Sequence, residues 1–436
     1  MKLLHLIFAL LMVALPARAE IAIQAVTSPG GIKAWLVEEH GIPFTALEIR
    51  FQGGTSLDAP GKRGAVNLMT ATIEEGAGDL DAQAFAEARD ALAADLRFRP
   101  YQDSIAVSAT FLTENRDQAM DLLRQALIEP RFDAAAVERV RGQILAGLRS
   151  DANDPQTLAG LAFNRAAFGD HAYGSSGDGT IETVTALTRD DVVAAWQGAL
   201  ARDRIYVAAV GDITAAELGA LLDGLLGGLP ASGAPLPGRA DYALGGGVTV
   251  IDYATPQSVV TFGQAGMKRD DPDFFAAYLM NEILGGGRFS ARLMTELREK
   301  RGLTYGIGTY LAAMDQAELL MGGLSTDNAK VAEVIALIRA EWGRMAGEGV
   351  TEAELDAAKT YLTGSYPLRF DGNGPIANIL VGMQMEGLPI DYALTRNDKI
   401  NAVTVGDIQR VASALLKPDG LHFMVVGQPA GVVSTN

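Results

Sequence analysis

The chain has 436 residues, of which 48% are hydrophobic, and its formal net charge at pH 7 is −17. This length and composition predict a globular protein of two or three domains and exclude a chain that is disordered throughout. Because so negative a surface repels phosphate groups, we expect neither nucleic acid nor an anionic membrane as a partner. The absence of cysteine excludes disulfides and thiolate metal ligands.

The first twenty residues read MKLLHLIFALLMVALPARAE. Lys2 is followed by an apolar run that is too short to span a bilayer, and a small-x-small sequence ends at Ala19. This order is typical of a secretory signal peptide, here residues 1–19, cleaved after Ala19. We therefore expect a periplasmic protein. Because no other segment approaches transmembrane length, we expect the mature protein to be soluble.

An internal repeat divides the chain. Residues 188–211 read TRDDVVAAWQGALARDRIYVAAVG, and residues 404–427, offset by 216 positions, read TVGDIQRVASALLKPDGLHFMVVG. Each copy has a threonine suited to cap a helix, an amphipathic helix, a turn and a strand that is apolar on both faces. A weaker match pairs residues 132–147 with 350–364. These matches predict two copies of one domain.

The predicted domains are residues 20–229 and 247–436, joined by a linker rich in Pro, Gly and Ala at 230–246. We predict an α+β sandwich for each, with helices on one face of a mostly antiparallel sheet. The second half is predicted to begin with a strand pair, VTVIDYA and SVVTFGQA. In the first half the predicted strands are 21–28, 32–39, 44–52, 95–100 and 103–112. The predicted helices there are 62–75, 81–94, 115–127, 133–150, 156–167 and 189–200.

Residues 51–85, FQGGTSLDAPGKRGAVNLMTATIEEGAGDLDAQAF, contain a strand end, a Gly/Pro loop and the start of a helix near Gly64. This segment resembles the start of the pitrilysin/insulinase-type zinc peptidases, the inverzincins. In that family the helix carries H-x-x-E-H, whose two histidines bind zinc and whose glutamate activates a water molecule.

The resemblance implies a zinc site that has lost its ligands. In an alignment on the Gly-Ala-Val that begins at Gly64, Asn67 and Ala71 occupy the two histidine positions and Thr70 occupies the glutamate position. The family's third ligand is a glutamate on a later helix, and Gly147 stands at that register. The nearby Glu74 and Glu75 have no histidine beside them, and we interpret them as a solvated helix end.

The histidine count independently favours a chain without zinc. The four histidines are His5, His40, His171 and His422, and no two are four residues apart as on one helix face. His171 begins HAYG, which with a later Gly-Thr resembles the family's His-Pro-Tyr…Gly-Thr loop, a structural feature there. We expect no metal to be bound by this chain.

Residues 281–310, NEILGGGRFSARLMTELREKRGLTYGIGTY, resemble the C-terminal segment of the same family. There, an arginine and a tyrosine seven residues apart reach the active site of the zinc-bearing domain and hold the substrate backbone and the reacting carbonyl. The matching positions are Arg298 and Tyr305. Apart from the resemblance, such an arginine is usually a surface charge and a tyrosine in a strand usually packs. Four further cations make this segment a basic island: Arg288, Arg292, Lys300 and Arg301.

The pattern of absent ligands with Arg298 and Tyr305 present resembles the non-catalytic subunit of the family's heterodimers. It implies a partner that carries H-x-x-E-H and zinc, a peptide substrate, and action of Arg298 and Tyr305 in trans on the substrate carbonyl. Two alternatives stay open. The chain could be a structural or peptide-holding subunit, like the inert core subunits of respiratory complexes, or a homodimeric enzyme with an unfamiliar centre.

Overall fold

A computed structural model of the chain describes residues 22–435. The predicted signal peptide, residues 1–19, lies outside these described residues. Between residues 22 and 435, none of the helices combines the length and the apolar character that crossing a bilayer requires.

The elements of the first half lie close to the predicted ranges. Its strands are β1 Gln24–Thr27, β2 Lys33–Glu38, β3 Phe44–Gln52, β4 Gly76–Ala77, β5 Leu80–Asp81, β6 Asp95–Pro100, β7 Ser104–Leu112 and β8 Ile205–Gly211. Its helices are α1 Ala65–Thr72, α2 Ala82–Ala91, α3 Arg116–Ile128, α4 Ala134–Asp151, α5 Pro155–Phe168, α6 Ile181–Ala186, α7 Arg189–Ala199 and α8 Ala215–Leu226.

The second half has the same kinds of element. Its strands are β9 Gly247–Asp252, β10 Gln257–Ala265, β11 Ile307–Ala313, β12 Glu318–Asp327 and β13 His422–Gly427. Its helices are α9 Phe274–Gly285, α10 Val331–Glu348, α11 Glu352–Ser365, α12 Asn373–Met385, α13 Tyr392–Ala402 and α14 Val405–Leu415, with a short π-helical turn at Met294–Glu299.

Two mixed, mostly antiparallel sheets organise the molecule. The first has the order β1-β2-β8-β3-β7-β6 and the second the order β11-β12-β10-β13-β9, with β2·β8 and β13·β9 as the parallel pairs. The α+β prediction is confirmed, but the predicted pairing of β9 with β10 is wrong. The last strand of that half, β13, lies between them, because an apolar strand is best covered in the interior of a sheet.

The repeat is visible in the structure. Thr188 and Thr404 each cap a helix through a capping box with an aspartate three residues later, Asp191 or Asp407. The helices α7 and α14 that follow lead into the interior strands β8 and β13. Equivalent sequence therefore gives equivalent local structure in the two halves.

Each half lends one helix to the sheet of the other. Helix α12 packs Ala377, Leu380 and Val381 against Ala46 of β3 and Val210 of β8. Helix α5 is the counterpart of α12 in the first half, because adding the repeat offset of 216 to its residue numbers gives nearly the range of α12. It packs against β10, β12 and β13 of the second half. The second face of each sheet is thus partly covered, which explains why β8 and β13 are apolar on both faces.

A polar cluster also joins the halves. The hydroxyl of buried Tyr173 donates to Asp103 Oδ1 at 2.7 Å and accepts from the backbone N–H of Gln316 at 2.9 Å. Between α8 and β9, residues 227–246, which include the predicted linker 230–246, form no helix or strand. Arg239 of this segment forms a bidentate ion pair with Glu318, in which each of the two hydrogen bonds is 2.6 Å long.

Candidate functional site

A buried carboxylate fixes the start of helix α1, the helix that resembles the zinc-binding helix. The side chain of Asp58 accepts hydrogen bonds from the backbone N–H groups of Gly64 and Val66, both at 2.8 Å, and pairs with Arg63. Burial raises the pKa of Asp58 to about 6. Gly64 has a φ of 93°, a left-handed conformation that suits glycine at this turn.

The four degenerate positions lie on two packed helices, α1 and α4, and they offer no ligand set. Asn67 is half-buried and Ala71 exposed, four residues apart on one face of α1. Thr70 is buried and donates its hydroxyl to the carbonyl of Val66 at 2.8 Å. Gly147 is exposed on α4, which packs against α1. Only Asn67 has a side-chain donor atom free of the helix backbone, and an amide is a poor zinc ligand.

Glu74 and Glu75 are not the solvated helix end that the sequence suggested. Glu74 pairs with Arg89 at 3.3 Å, and burial raises the pKa of Glu74. Glu75 pairs with Arg139 of α4. Both carboxylates are partly buried and engaged by arginines, so neither is available as a metal ligand.

The histidines of the described chain are also committed elsewhere. His40 is exposed and bonds to Asp212 and Glu38, which raise the pKa of His40. His171 lies in the predicted loop, next to the carbonyl of Gly238. His422 is buried in β13, and burial lowers its pKa. Within residues 22–435, no three histidine, aspartate or glutamate side chains gather closely enough to hold a metal ion. The residues present do not fit zinc.

The second candidate set, Arg298 and Tyr305, lies on a rigidly held segment. Arg298 belongs to the π-helical turn, whose Leu297 is fully buried. Tyr305 is 89% exposed and lies in the loop before β11, not in the strand. On either side of it, Thr304 donates to the carbonyl of Ser325 at 2.8 Å and Thr326 donates to the carbonyl of Leu303 at 2.6 Å. The backbone is therefore fixed to β12 while the phenol ring of Tyr305 projects into solvent.

The cations of the basic island do not form a free positive surface. Each of the four other cations has a carboxylate partner: Arg288 with Glu282 at 2.7 Å, Arg292 with Glu354 at 2.7 Å, Arg301 with Glu296 at 2.7 Å, and Lys300 also with Glu296. Arg298 differs, because no carboxylate of the described chain lies within 4.0 Å of its guanidinium.

One contributor to this set was missed by sequence reasoning. The guanidinium of Arg298 lies over the ring of Phe289, 4.5 Å from its centroid. Phe289 follows the glycines of the loop after α9, and the residue is 61% exposed. Phe289 stands close to a run of three glycines in the sequence GGGRFSA. This position indicates a loop, and a loop position could have suggested an aromatic residue at the surface.

Comparison with known proteins covers most of the chain. Residues 34–180 match the insulinase (peptidase family M16) signature, and residues 186–362 match the peptidase M16 inactive domain. The chain is 26% identical to a non-peptidase homolog, YmxG, of Helicobacter pylori, over 89% of this chain and 90% of that one. It is also 26% identical to an uncharacterized zinc protease of Streptomyces coelicolor, over 90% and 87%.

Solved structures agree with this assignment. A crystal structure titled peptidase M16 inactive domain from Pseudomonas fluorescens superposes with a TM-score of 0.87 at 28% identity, covering 95% of this chain and 100% of that one. Both halves and their order along the chain are thus shared. The chain therefore belongs to the insulinase family of peptidases (family M16), as an inactive member whose zinc-binding positions hold no zinc ligands.

Proposed function

We propose that this chain is the non-catalytic subunit of a heterodimeric zinc endopeptidase of the periplasm. A homologous partner that carries H-x-x-E-H and zinc would cleave peptides, and this chain would complete its active site. The proposal requires no metal in this chain, in keeping with the residues at the four degenerate positions, Asn67, Thr70, Ala71 and Gly147.

Arg298 and Tyr305 supply the chemistry that such a subunit needs. A guanidinium can hold a peptide carbonyl by two parallel N–H donors, and a phenol O–H can donate to the oxygen on which negative charge develops. To stabilise the transition state in a partner's active site, both side chains must have a fixed position and must extend from the surface of their own domain. The two threonine hydrogen bonds beside Tyr305 and the ring of Phe289 under Arg298 meet these conditions.

One observation carries the proposal. Four of the five cations in residues 288–301 are ion-paired inside their own chain, whereas the guanidinium of Arg298 has no carboxylate partner within residues 22–435 and lies over an exposed aromatic residue. An arginine kept free of carboxylates in a chain of net charge −17 retains its donors for a group from another molecule.

A second candidate function is a scaffold or peptide-holding subunit without a role in catalysis. The name of the Helicobacter pylori relative, non-peptidase homolog, favours it. In that case the partner would gain stability or substrate affinity from this chain, and its turnover number would not change.

The test is reconstitution with a zinc-bearing H-x-x-E-H homologue from the same cell, with a quenched fluorescent peptide as substrate. We expect zinc only in the partner, no hydrolysis by this chain alone, and faster turnover by the mixture than by the partner alone. A mixture with unchanged turnover number would favour the scaffold function. Chelator-sensitive hydrolysis by this chain alone would instead favour the homodimeric enzyme and contradict the proposal.

A further inference from the structure

The face of the first sheet that meets the second half has two regions. Under α12 it is apolar, with Ala46 and Val210 in contact with that helix. Further along, on β3, β7 and β6, the same face is polar, and it becomes exposed towards β6, at Arg97 and Arg99. This polar part, the first turns of α12 and the end of β6 enclose a cleft of about 320 Å³ between the two halves.

Strand register places the polar side chains of this cleft in rows. Glu48 of β3 pairs with Ser108 of β7, which pairs with Arg97 of β6. In the next row, Arg50 and Arg99 flank a small residue, Ala106. Side chains two residues apart on a strand point to the same face, so both rows line the cleft.

The two carboxylates of the cleft are already engaged. Glu48 Oε2 accepts from Arg50 at 2.6 Å and from the hydroxyl of Ser108 at 2.9 Å. Asp95 uses both of its oxygens for Arg97, at 3.0 Å to Nε and 2.6 Å to a terminal nitrogen. Each acid of the cleft is thus paired with an arginine of the cleft, and a third arginine, Arg99, remains.

Several donors of the cleft have no partner among residues 22–435. Asn378 of α12 accepts from Arg50 at 2.6 Å through its oxygen, so its amide N–H groups stay available. Arg99 is exposed, and no carboxylate of residues 22–435 lies within 4.0 Å of its guanidinium. The first turn of α12, which contributes Gly374, carries no acidic residue and no side-chain cap. Tyr101 also lines the cleft.

We propose that this cleft binds a carboxylate group of a peptide. An excess of free donors around a space of this size is complementary to an acceptor-only anion such as a carboxylate. Because the whole chain carries a charge of −17, long-range attraction would not bring an anion here, so binding depends on the local donors. The inference rests on the proposed function only in taking a peptide as the ligand, and it involves neither Arg298 nor Tyr305.

Fluorescence anisotropy with the isolated full-length mature chain tests this site. The probe is a labelled alanine-rich hexapeptide in three forms: free C-terminus, amidated C-terminus, and amidated with a terminal glutamate. We expect the free acid to bind about tenfold more tightly than the amide, since one charge-assisted hydrogen bond is at stake. Arg99→Gln removes this preference, while Arg149→Gln, an exposed arginine on α4, keeps it within about twofold. If the amidated peptide with a terminal glutamate binds as tightly as the free acid, the site accepts side-chain carboxylates. If it binds as weakly as the plain amide, the site is specific for the C-terminal carboxylate.

Equal binding of free acid and amide would overturn the proposal, and so would an unchanged preference in Arg99→Gln. Inorganic phosphate is a further control. If it displaces all three probes equally, the cleft adsorbs anions without selecting a peptide carboxylate, and the proposal is wrong. Because Arg99 is exposed, its variant should keep the melting temperature of the parent protein. The measurement uses no zinc subunit, so its failure and a failure of peptide cleavage in the reconstituted pair are separate results.

Discussion

The guanidinium of Arg298 lies 4.5 Å from the ring centroid of Phe289, a residue that is itself 61% exposed. A cation over an aromatic face is attracted by the ring quadrupole without losing its charge or its N–H donors. The contact therefore positions Arg298 at the surface, whereas a carboxylate in the same place would neutralise it.

The first prediction concerns this contact. Phe289→Ala should lower the turnover number of the reconstituted peptidase about two- to fivefold, the equivalent of an exposed cation–π contact. Phe289→Tyr, which keeps an aromatic face, should restore it. Steady-state kinetics give the measurement, and a melting curve checks that the fold is intact. Unchanged turnover in Phe289→Ala would show that the ring does not position Arg298.

The second prediction restores the lost ligands. Asn67→His, Ala71→His and Gly147→Glu place two histidines on one face of α1 and a carboxylate on the helix that packs against it. A Cβ added at Gly147 meets no atom within 4 Å, so the backbone admits the change. We expect the triple variant to bind about one Zn²⁺ per chain and the parent to bind none, as measured by elemental analysis after dialysis.

Thr70 is left unchanged in that variant, because its side chain is buried and bonded to the backbone of α1. Reversion of Ala71→His alone should abolish binding, which serves as the control. Stoichiometric zinc in the parent protein, or none in the triple variant, would contradict the assignment of these four positions.

The third prediction concerns pH. Hydrogen bonds from Arg292, with those at the Thr351 cap, lower the pKa of Glu354 to about 2. Because the pKa of this carboxyl is lower in the folded than in the unfolded state, where it is near 4.5, the ionised group stabilises the fold fully above that pH. This stabilisation is lost as the pH falls towards 2. Glu354→Gln should lower the free energy of unfolding by about 1 kcal/mol near pH 7 and by less near pH 3.

Urea unfolding at the two pH values measures this difference. Glu352→Gln, a change at an exposed glutamate in the first turn of the same helix, is the matched control and should have a smaller effect. If Glu354→Gln cost the same free energy at both pH values, the stabilising role of the ionised carboxylate would be wrong.

The fourth prediction concerns the contact between the halves. Tyr173→Phe removes a donor to Asp103 and an acceptor for the N–H of Gln316, so both partners lose a buried hydrogen bond. We expect the free energy of unfolding to fall by about 1–3 kcal/mol, as determined by urea denaturation. Tyr310→Phe, at a residue that is 56% exposed, should change it little. Equal effects of the two variants would refute a specific role for the cluster.

Local pattern was enough to predict most elements. Strand 44–52 and helix 189–200 were found within one residue of their ends, because alternating or helical hydrophobic spacing and a capping threonine mark them. The order of strands was not predictable in this way. Both β8 and β13 enter their sheets from the far end of each half, and no local sequence signal records which strands they separate.

The candidate site shows the same limit. The loss of zinc ligands could be recognised from Asn67 and Ala71 alone, since the motif is local. Which of the basic residues are ion-paired could not be recognised from the sequence. Arg292, for example, pairs with Glu354, which lies on another helix 62 residues away. Long-range pairing separates the cations that are neutralised from Arg298, which is not.

The turnover number of the reconstituted pair with Tyr305→Phe in this chain tests the central claim most directly. We predict a decrease of about 100- to 1000-fold, the usual cost of losing one donor to a developing oxyanion, with unchanged affinity between the subunits. Tyr310→Phe should leave turnover as it was. If Tyr305→Phe retains full turnover in a complex that forms normally, this chain does not act on the substrate carbonyl and the account is wrong.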